Sequence, residues 1–520
     1  MADLATATTP VDDTKITGDI LKIAGVVVLG AIMSILDITV VNVALPTFQT
    51  TFGSVDNPLP YSTVAWTVTG YTLALATVIP LTGWAADRFG TKRLYMAAVA
   101  MFTIGSALCS MAWDINALIG FRVLQGLGGG MLMPLGMTIL TRAAGPKRMG
   151  RLMAILGVPM LLGPICGPIL GGWLIDAASW HWIFLINVPI GIISLFYAWF
   201  ALAKDNPHPS ETFDFVGMLM MSPGLALFLF GISSIPEEGT VTAARVWVPA
   251  LIGLVLVISF VFYSFKPKHP LLDLRLFRNR NLAVSLIVMF LFAVAFFGGL
   301  LLVPTYFQQI RGESVLKAGL LIAPQGIGAM ITMPIAGVLV DKFPVGRIVP
   351  FGLVFIVIGM AGLTQIQADT SFHVLIALLF IMGLGMGATM MPIMTTALKT
   401  LRASEVARGS TLLNITQQIA SSIGVAVMSV ILTNGLTESK LAGPAIAAVK
   451  DPEAAQKIGG PSVVAKGLQE AADAFAHTYW VALGLIGVTV VAALFLPRKH
   501  EESRLLDDDE QQDSIPMVVH

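Results

Sequence analysis

The chain contains a series of long apolar runs that carry almost no charge. The runs are about 18 to 26 residues long, the length of helix that crosses roughly 30 Å of hydrocarbon. They are continuously apolar rather than alternating, so they predict helices and not a membrane β-barrel. Only 12% of the 520 residues are charged, about half the share in a soluble domain. These features exclude a soluble enzyme, a nucleic-acid-binding protein and a disordered scaffold.

We expect fourteen membrane-spanning helices from these runs. The first run is too long for a cleaved signal peptide and lacks a small-residue cleavage site. The predicted spans are 22–46, 62–83, 94–112, 116–141, 151–175, 182–203, 215–234, 247–265, 282–308, 318–341, 347–366, 372–398, 408–433 and 475–497.

The distribution of Lys and Arg predicts the orientation. If both termini are cytoplasmic, 23 of the 31 basic residues lie on the inner side and seven on the outer side, and the remaining one, Arg122, lies within a span. Because cytoplasmic loops carry the excess of positive charge, this orientation in the cytoplasmic membrane is strongly favoured. The segments 1–21 and 498–520, the second of which is an acidic tail, are then cytoplasmic. The only long outer connection is 434–474.

Two landmarks in the first part of the chain recur in the second part. Gly83–Arg93 follows the second span, and the similar stretch Gly337–Arg347 follows the tenth at an offset of 254 residues. The glycine-rich stretches Gly126–Gly130 and Gly383–Gly387 are 257 residues apart. Two landmarks in the same order at a nearly constant offset indicate an internal repeat.

The repeat divides the chain into two six-helix halves, 22–203 and 282–497. The segment 204–281 lies between them and contributes two additional central spans. Paired repeats whose helices are interrupted by Gly and Pro are typical of alternating-access transporters, in which the binding site lies between the halves near mid-membrane.

The sequence resembles the major facilitator superfamily and, within it, the fourteen-span drug:proton antiporters of the EmrB/QacA type. The resemblance covers residues 22–497 and implies an all-α polytopic membrane protein with the major facilitator fold, which exports drugs or toxic compounds in exchange for protons. One departure is that Lys342 and Pro344 stand where the first repeat has Arg88 and Gly90. The matching motifs are Leu36–Pro46, Gly83–Arg93, Arg122–Gly126, Gly163–Gly172, Trp180–Pro189, and Pro304–Gln308 with Gly312 and Ser314.

Ionisable residues within the hydrocarbon are rare, and only Asp37 and Arg122 lie well inside a predicted span. Leaving either unpaired costs at least ~2.5 kcal/mol. From the helical rise, Asp37 is about 13 Å and Arg122 about 9 Å from the outer ends of their spans. Similar depth makes a direct pair, or one through water, feasible. Gln125 and Gly126 follow Arg122 by three and four residues and share its helix face.

We hypothesise that Asp37 is the titrating carboxylate and that Arg122 tunes it. Burial favours the neutral form of a carboxyl group, whereas a nearby guanidinium favours the ionised form. A conformational change that alters their separation would therefore take up a proton on one side and release it on the other. The alternative is a static ion pair that only fixes packing.

The loop after the second span and its repeat form a candidate conformational latch. The charge cluster at its centre could pair with helix ends of the opposite half in one state only, and the resemblance implies such a latch. The alternative is that the basic residues of this loop only set the orientation of the chain in the membrane, although that role does not require the acidic residue Asp87. Because of Lys342 and Pro344, we expect the second copy to be weaker. The candidate latch residues are Gly83, Asp87, Arg88, Gly90, Arg93 and Asp341.

The fifth span carries a stripe of glycines at every fourth position, Gly163, Gly167 and Gly171, with Pro164 and Pro168 beside it. The stripe predicts close packing, which we expect against the other half, and the prolines predict a kink. The resemblance implies that this antiporter motif seals the outer path against proton leak. Packing alone would also explain the stripe.

The substrate cavity is the least readable part of the sequence. Its candidate residues are polar or aromatic and lie on spans that resemble cavity-lining ones, and each could instead serve ordinary packing. These residues are Asn42, Trp66, Tyr71, Gln125, Tyr306, Gln308, Gln325, Asn414, Gln417 and Gln418.

Several motifs of other functions are absent from the sequence. There is no phosphate-binding loop for ATP, no metal-ligand spacing among the seven His and no nucleophile motif. We therefore expect no enzyme activity, no metal and no cofactor. We expect the proton gradient to drive transport. The expected partners are small amphipathic or hydrophobic substrates, protons and membrane lipids, and not nucleic acid. The sequence is compatible with a monomer. Export of a specific native lipid, siderophore or metabolite remains an alternative, as does a transport-dead sensor or lipid-binding scaffold.

Overall fold

The computed structural model describes residues 18–53, 59–144, 148–205, 212–238, 240–402, 405–449, 456 and 459–499. All regular secondary structure within these ranges is helical. Most of the predicted cytoplasmic segment 1–21 and nearly all of the acidic tail 498–520 lie outside the described residues.

The first half contains the first six predicted spans. Its sixth span is divided into a short helix, α6, and a longer one, α7. The helices are α1 (Gly18–Phe52), α2 (Tyr61–Phe89), α3 (Thr91–Ser110), α4 (Ile115–Ala144), α5 (Met149–Ala177), α6 (Trp182–Leu185) and α7 (Asn187–Ala201).

The central segment and the second half contain the remaining spans. A 3-10 helix, Leu274–Arg278, joins the central pair to the second half. The helices are α8 (Phe215–Ser233), α9 (Ile235–Glu238), α10 (Ala244–Tyr263), α11 (Arg280–Gln309), α12 (Val315–Lys342), α13 (Val345–Leu363), α14 (Phe372–Lys399), α15 (Val406–Glu438), α16 (Ala442–Ala448) and α17 (Pro461–Ala493).

The helices account for the predicted spans. Among the described residues, 13 helices are long and apolar enough to cross a membrane when α6 and α7 are counted as one. The fourteenth is α5, whose 29 residues give it a similar length, although several of its side chains lie outside the described residues. The chain is therefore a multi-pass membrane protein of the all-α class.

The connection between α15 and α17 differs from the predicted outer loop 434–474. Helix α15 continues to Glu438, α16 lies within the connection, and α17 begins at Pro461 rather than near 475. The early part of α17 is too polar to be recognised as a span, but small residues bury one of its faces. A Cβ atom on Gly467 would meet Ala445 and the carbonyl oxygen of Leu441, so this face packs closely against α16. The helix that contains the predicted last span 475–497 therefore begins 14 residues before that span.

The central pair, α8 and α10, lies beside the interface between the two halves. Helix α8 packs against α10 and α2 and also contacts α15 of the second half. Two aromatic pairs join it to α2: the ring centroids of Trp66 and Phe230 are 5.5 Å apart, and those of Trp84 and Phe213, just before α8, are 4.4 Å apart. The pair therefore covers the α2–α15 side of the bundle.

The two halves meet through α2 and α15, α4 and α15, α5 and α12, and α5 and α14. Glycines permit the closest approaches. A Cβ atom on Gly83 would meet the backbone of Ala407 and Arg408, and one on Gly337 would collide with the backbone of Gly150. These approaches lie at the ends of the helices that the distribution of Lys and Arg places on the inner side.

Candidate functional site

Asp37 of α1 is the centre of a buried polar cluster. Nη1 of Arg122, in α4, donates a hydrogen bond to Oδ2 of Asp37. Oδ1 accepts hydrogen bonds from Nε2 of Gln125 at 2.8 Å and from Nδ2 of Asn187 at 3.2 Å. Both members of the ion pair have fully buried side chains, with 0% exposure. The structure thus brings the two predicted intramembrane charges into direct contact.

The guanidinium of Arg122 is held by α2 as well as by Asp37. Its Nε donates to the carbonyl oxygen of Thr67 at 2.9 Å, and its Nη1 donates to Oε1 of Gln125 at 2.7 Å. Its Cζ lies 4.1 Å from the centroid of the Tyr71 ring, which is within the range of a cation–π interaction. The positive charge is therefore stabilised by several partners rather than by one carboxylate alone.

Ser106 of α3 connects the cluster to the sixth span. Its hydroxyl accepts hydrogen bonds from Nε2 of Gln125 and Nδ2 of Asn187, each at 3.1 Å, and donates to the carbonyl oxygen of Phe184 at 2.9 Å. The cluster thus joins α1, α2, α3, α4 and the sixth span. Ser106 and Asn187 were not among the predicted site residues. Asn187 lies within the motif Trp180–Pro189, and its polar side chain inside a span was the signal available.

Two glycines bring the helices of the cluster together. A Cβ atom on Gly105 would collide with the backbone of Gln125, and one on Gly126 would collide with the carbonyl oxygen of Tyr71. Gly105 therefore allows α3 to approach α4, and Gly126 allows α4 to approach α2, as small residues do at helix interfaces in membranes.

The glycine stripe of α5 packs against α1, not against the other half as expected. Cβ atoms on Gly163 and Gly167 would collide with the side chains of Ile35 and Thr39, and one on Gly171 would lie 3.2 Å from Val40. A stripe on one face can serve only one neighbour, and α5 meets the second half elsewhere, nearer its N-terminal end, where a Cβ atom on Gly150 would collide with Gly337. The side chains of Pro164 and Pro168 lie outside the described residues.

We expect Gly167→Val to destabilise the protein, because the added side chain would separate α5 from α1. Overpacking of this kind typically costs about 1–3 kcal/mol. Gly172→Val is the matched control, since a Cβ atom at Gly172 meets no atom of the described residues within 4 Å. The melting temperature of the purified protein in detergent measures the difference. Equal melting temperatures for the two variants would contradict a close α1–α5 contact at Gly167.

The first candidate latch reaches the second half through Asp87. Its Oδ1 lies 3.5 Å from Nη2 of Arg142, in α4, and its Oδ2 lies 3.6 Å from Nε of Arg408, in α15. Arg88 is half-buried and Arg93 is exposed. Within this first copy, Asp87 therefore makes the described charge contact with the second half.

The turn that carries this latch is fixed at Gly90, whose φ of 92° lies in the region that favours glycine. The carboxylate of Asp205 accepts hydrogen bonds from the backbone N–H groups of Lys92 at 2.8 Å and Arg93 at 2.9 Å. Asp205 thus caps the start of α3 and holds the turn, a role that sequence reasoning missed.

Asp341 makes the corresponding contact on the other side of the bundle. Its Oδ1 accepts a hydrogen bond from the backbone N–H of Gly150 at 3.1 Å, at the start of α5, where the helix dipole favours a negative charge. Nε of Arg151 lies 4.0 Å from its Oδ2. Lys342 and Pro344 therefore do not remove the contact between the halves that the first repeat makes through Asp87.

The predicted cavity residues do not come together in one lining. Tyr71 and Gln125 belong to the Asp37 cluster, and Trp66 stacks on Phe230 of the central pair. The hydroxyl of Tyr306, near the C-terminal end of α11, donates to the carbonyl oxygen of Gln367 in the α13–α14 connection.

The remaining cavity candidates differ in their surroundings. Gln325 is buried, and neither polar atom of its amide has a hydrogen-bond partner among the described residues. Nδ2 of Asn414 donates to the carbonyl oxygen of Ser410 at 2.8 Å and lies 3.2 Å from Sδ of Met137 in the first half. Asn42 is exposed, whereas Gln308, Gln417 and Gln418 are half-buried.

The chain belongs to the major facilitator superfamily. Residues 27–425 match the family model described as Major Facilitator Superfamily, which confirms the predicted family and fold. This superfamily consists of transporters, so the chain belongs to a class of transporters and not to a family of enzymes.

Two similar proteins show which members of the superfamily the chain resembles. It is 46% identical over 500 residues to the multidrug resistance protein B homolog of Mycobacterium tuberculosis (strain H37Rv), which covers 93% of this chain and 91% of that protein. It is 30% identical over 408 residues to the multidrug export protein EmrB of Escherichia coli (strain K12), with 78% and 79% covered. Both of these relatives carry names of multidrug resistance or multidrug export proteins.

Solved structures support the fold alone. The proton:xylose symporter XylE matches with a TM-score of 0.59 at 15% identity over 94% of this chain and 98% of that one. The human organic anion transporter MFSD10 matches with a TM-score of 0.58 at 15% identity over 90% and 99%.

Proposed function

We propose that the protein exports small amphipathic drugs or toxic compounds across the cytoplasmic membrane in exchange for protons. The names of its relatives in Mycobacterium tuberculosis and Escherichia coli support a multidrug substrate range. The distribution of Lys and Arg supports an orientation with both termini in the cytoplasm. Antibiotics among the substrates would make the protein a resistance determinant.

The observation that carries the proposal is the buried pair of Asp37 and Arg122. A carboxylate and a guanidinium in contact leave no net charge in the membrane, whereas protonation of Asp37 leaves the charge of Arg122 uncompensated. Protonation therefore favours a different arrangement of the helices around the pair. In this way one proton can drive a conformational change, with about 2.3 kcal/mol available per charge per 100 mV of membrane potential.

Alternating access follows from two halves that meet at one side of the membrane. The described contacts through Asp87 and Asp341 join the halves at the predicted inner side, so they stabilise a state that is closed to the cytoplasm. Opening to the cytoplasm requires both contacts to break. The latches thus set the relative stability of the two states.

We expect Asp87→Asn to shift the protein toward the state that is open to the cytoplasm. Loss of the charge contact to Arg408 should change the ratio of the two states about tenfold, which is within the usual range of conformational coupling. Spin labels at Arg93 and Arg402, exposed residues of the two halves, report the distance between the inner ends. Glu438→Gln, at the exposed outer end of α15, is the control. An unchanged distance distribution in Asp87→Asn would contradict a latch role.

Transport by the purified protein in liposomes with an imposed pH gradient tests the proposed function. Flux of several unrelated amphipathic compounds coupled to proton movement is the expected result. Coupled flux of only one native lipid, siderophore or metabolite would replace the drug substrate but keep the mechanism. Ligand binding without flux of any compound would overturn the transport function in favour of a sensor or scaffold.

A further inference from the structure

Ser106 differs from Thr103 and Ser110 of the same helix in where its hydroxyl proton goes. The hydroxyls of Thr103 and Ser110 donate to carbonyl oxygens of α3 itself, at 2.7 and 2.6 Å, as is usual for such residues within a helix. The hydroxyl of Ser106 instead donates to the carbonyl oxygen of Phe184, in α6, at 2.9 Å. Because a carbonyl group only accepts hydrogen bonds, the single proton of Ser106 is committed to the sixth span.

The oxygen of Ser106 therefore acts as an acceptor toward its other partners. Nε2 of Gln125 and Nδ2 of Asn187 both donate to it, each at 3.1 Å. A hydroxyl oxygen has two acceptor positions, so these two bonds complete it. Both amides must turn their NH₂ groups toward Ser106, because an amide oxygen in the same place would face an oxygen that has no proton left to donate.

The same two NH₂ groups connect Ser106 to Asp37. Nε2 of Gln125 lies 2.8 Å and Nδ2 of Asn187 lies 3.2 Å from Oδ1 of Asp37, so each amide uses one hydrogen for Ser106 and the other for Asp37. Gln125 is held in the same sense from its other end, because its Oε1 accepts from Nη1 of Arg122 at 2.7 Å. Ser106 thus determines which atoms of the two amides are presented to Asp37.

Every partner that the described part of the chain offers to Asp37 is consequently a hydrogen-bond donor. Oδ1 faces two amide N–H groups, and Oδ2 faces an N–H group of Arg122, which is not deprotonated in proteins. An ionised carboxylate accepts all three bonds, whereas a neutral carboxyl group has an O–H that needs an acceptor. Protonation therefore leaves a buried donor without a partner unless the carboxyl group moves out of the cluster.

The other titratable groups around Asp37 have partners of their own. The hydroxyl of Tyr71, in α2, is paired with a serine hydroxyl of α1 at 3.2 Å, and the thiol of Cys109, in α3, faces Oε1 of Gln125 at 3.6 Å. The described residues of α5 and of the sixth span that line the space beside Asp37 are aliphatic, except for Asn187. None of these described groups supplies an acceptor for a neutral Asp37.

We infer that Ser106 is a positioning residue for proton coupling, an inference that rests on the proposed proton antiport. Because it holds the amides of Gln125 and Asn187 with their N–H groups toward Asp37, it makes the cluster specific for the ionised carboxylate. Proton binding then drives the carboxyl group, and with it α1, away from the partners on α3, α4 and the sixth span. Ser106 acts through the two amides and does not bind the transported proton itself.

Ser106→Ala tests the inference through the pH dependence of transport. Without the hydroxyl oxygen, the amide of Asn187 can turn its own oxygen toward a protonated Asp37, so the cluster tolerates the neutral form. The midpoint of the pH profile of proton-driven efflux should therefore move upward by about one unit, a tenfold change in proton affinity that is usual for one hydrogen bond. Substrate exchange without a pH gradient should be retained. Ser110→Ala is the matched control, because the buried hydroxyl that it removes bonds to its own helix.

Ser106→Cys provides a second variant of nearly the same size as the serine. A thiol is only a weak donor and a weak acceptor, so it holds the two amides less firmly than a hydroxyl. The pH midpoint should move in the same direction as in Ser106→Ala, but by less. This variant also keeps the test valid if Ser106→Ala does not fold.

Three results for Ser106→Ala would overturn the inference. Its pH midpoint could coincide with that of Ser110→Ala, it could move downward, or efflux and exchange could fall in equal proportion at an unchanged midpoint, which is the behaviour of a packing residue. If Ser106→Ala does not fold, an unshifted midpoint in Ser106→Cys overturns the inference equally. Failure of the proposed function is distinguishable, since it would appear as a lack of proton coupling in the unmodified protein.

Discussion

Asp37→Asn is expected to abolish proton-driven efflux while leaving the protein folded. Asparagine has nearly the same shape and still offers an oxygen to Arg122 and Gln125, but it cannot bind and release a proton. We expect efflux against a substrate gradient to fall on the order of 100-fold or more, as when a proton-transferring group is removed. Substrate exchange at equal pH should persist, because it does not require net proton movement.

The measurement is transport in liposomes, with and without a pH gradient, for variants reconstituted at equal density. Asp369→Asn, which neutralises an exposed acid in the α13–α14 connection, is the matched control and should transport normally. Full proton-driven efflux in Asp37→Asn would contradict the assignment and would show that Asp37 and Arg122 form only a structural ion pair. Proton binding would then have to be assigned to another acid.

Arg122→Leu is expected to cause the largest loss of stability. The substitution leaves the carboxylate of Asp37 buried without its counter-charge, which typically costs about 3–5 kcal/mol when a buried pair is broken. The protein can reduce this cost by keeping Asp37 protonated, but a permanently neutral carboxyl group cannot couple transport to protons. We therefore expect a lower melting temperature together with loss of proton-driven efflux.

The double variant Asp37→Asn with Arg122→Leu separates the two effects. It should recover most of the lost stability, because no unpaired charge remains, but it should not recover efflux. Arg245→Leu is the control for removal of an arginine: its partner Glu238 is 3.5 Å away and both side chains are about one-third exposed, so the loss should be within about 1 kcal/mol. A double variant no more stable than Arg122→Leu would show that packing, not charge, dominates at Arg122.

The features that the sequence predicts well are the membrane-spanning helices, from the length of the apolar runs, and the buried ion pair, from its rare charges within those runs. A span of apolar residues has few structural alternatives in a membrane, so the number and order of the helices could be read directly. Asp37 and Arg122 stood out because an ionisable group in hydrocarbon is costly unless it has a partner. Their similar depths made a contact feasible, and the structure shows that contact.

Neutral polar residues explain much of what was missed. Ser106 and Asn187 cost little inside a span and can bond within their own helix, so their link to Asp37 depends on how α3 and the sixth span pack. The α5 stripe indicated close packing but could not identify α1 as the neighbour. The start of α17 was missed because its burial depends on α16, and the position of the central pair depends on contacts with α2 and α15 that no periodicity reveals.

The most direct test of proton binding at Asp37 is a measurement of proton release when substrate binds. Purified protein in weakly buffered detergent solution, with a pH-indicator dye, should release protons upon addition of a transported compound near the midpoint of the pH profile. Asp37→Asn should bind the same compound and release none. Equal proton release from Asp37→Asn and the unmodified protein would contradict the assignment of Asp37 as the proton carrier.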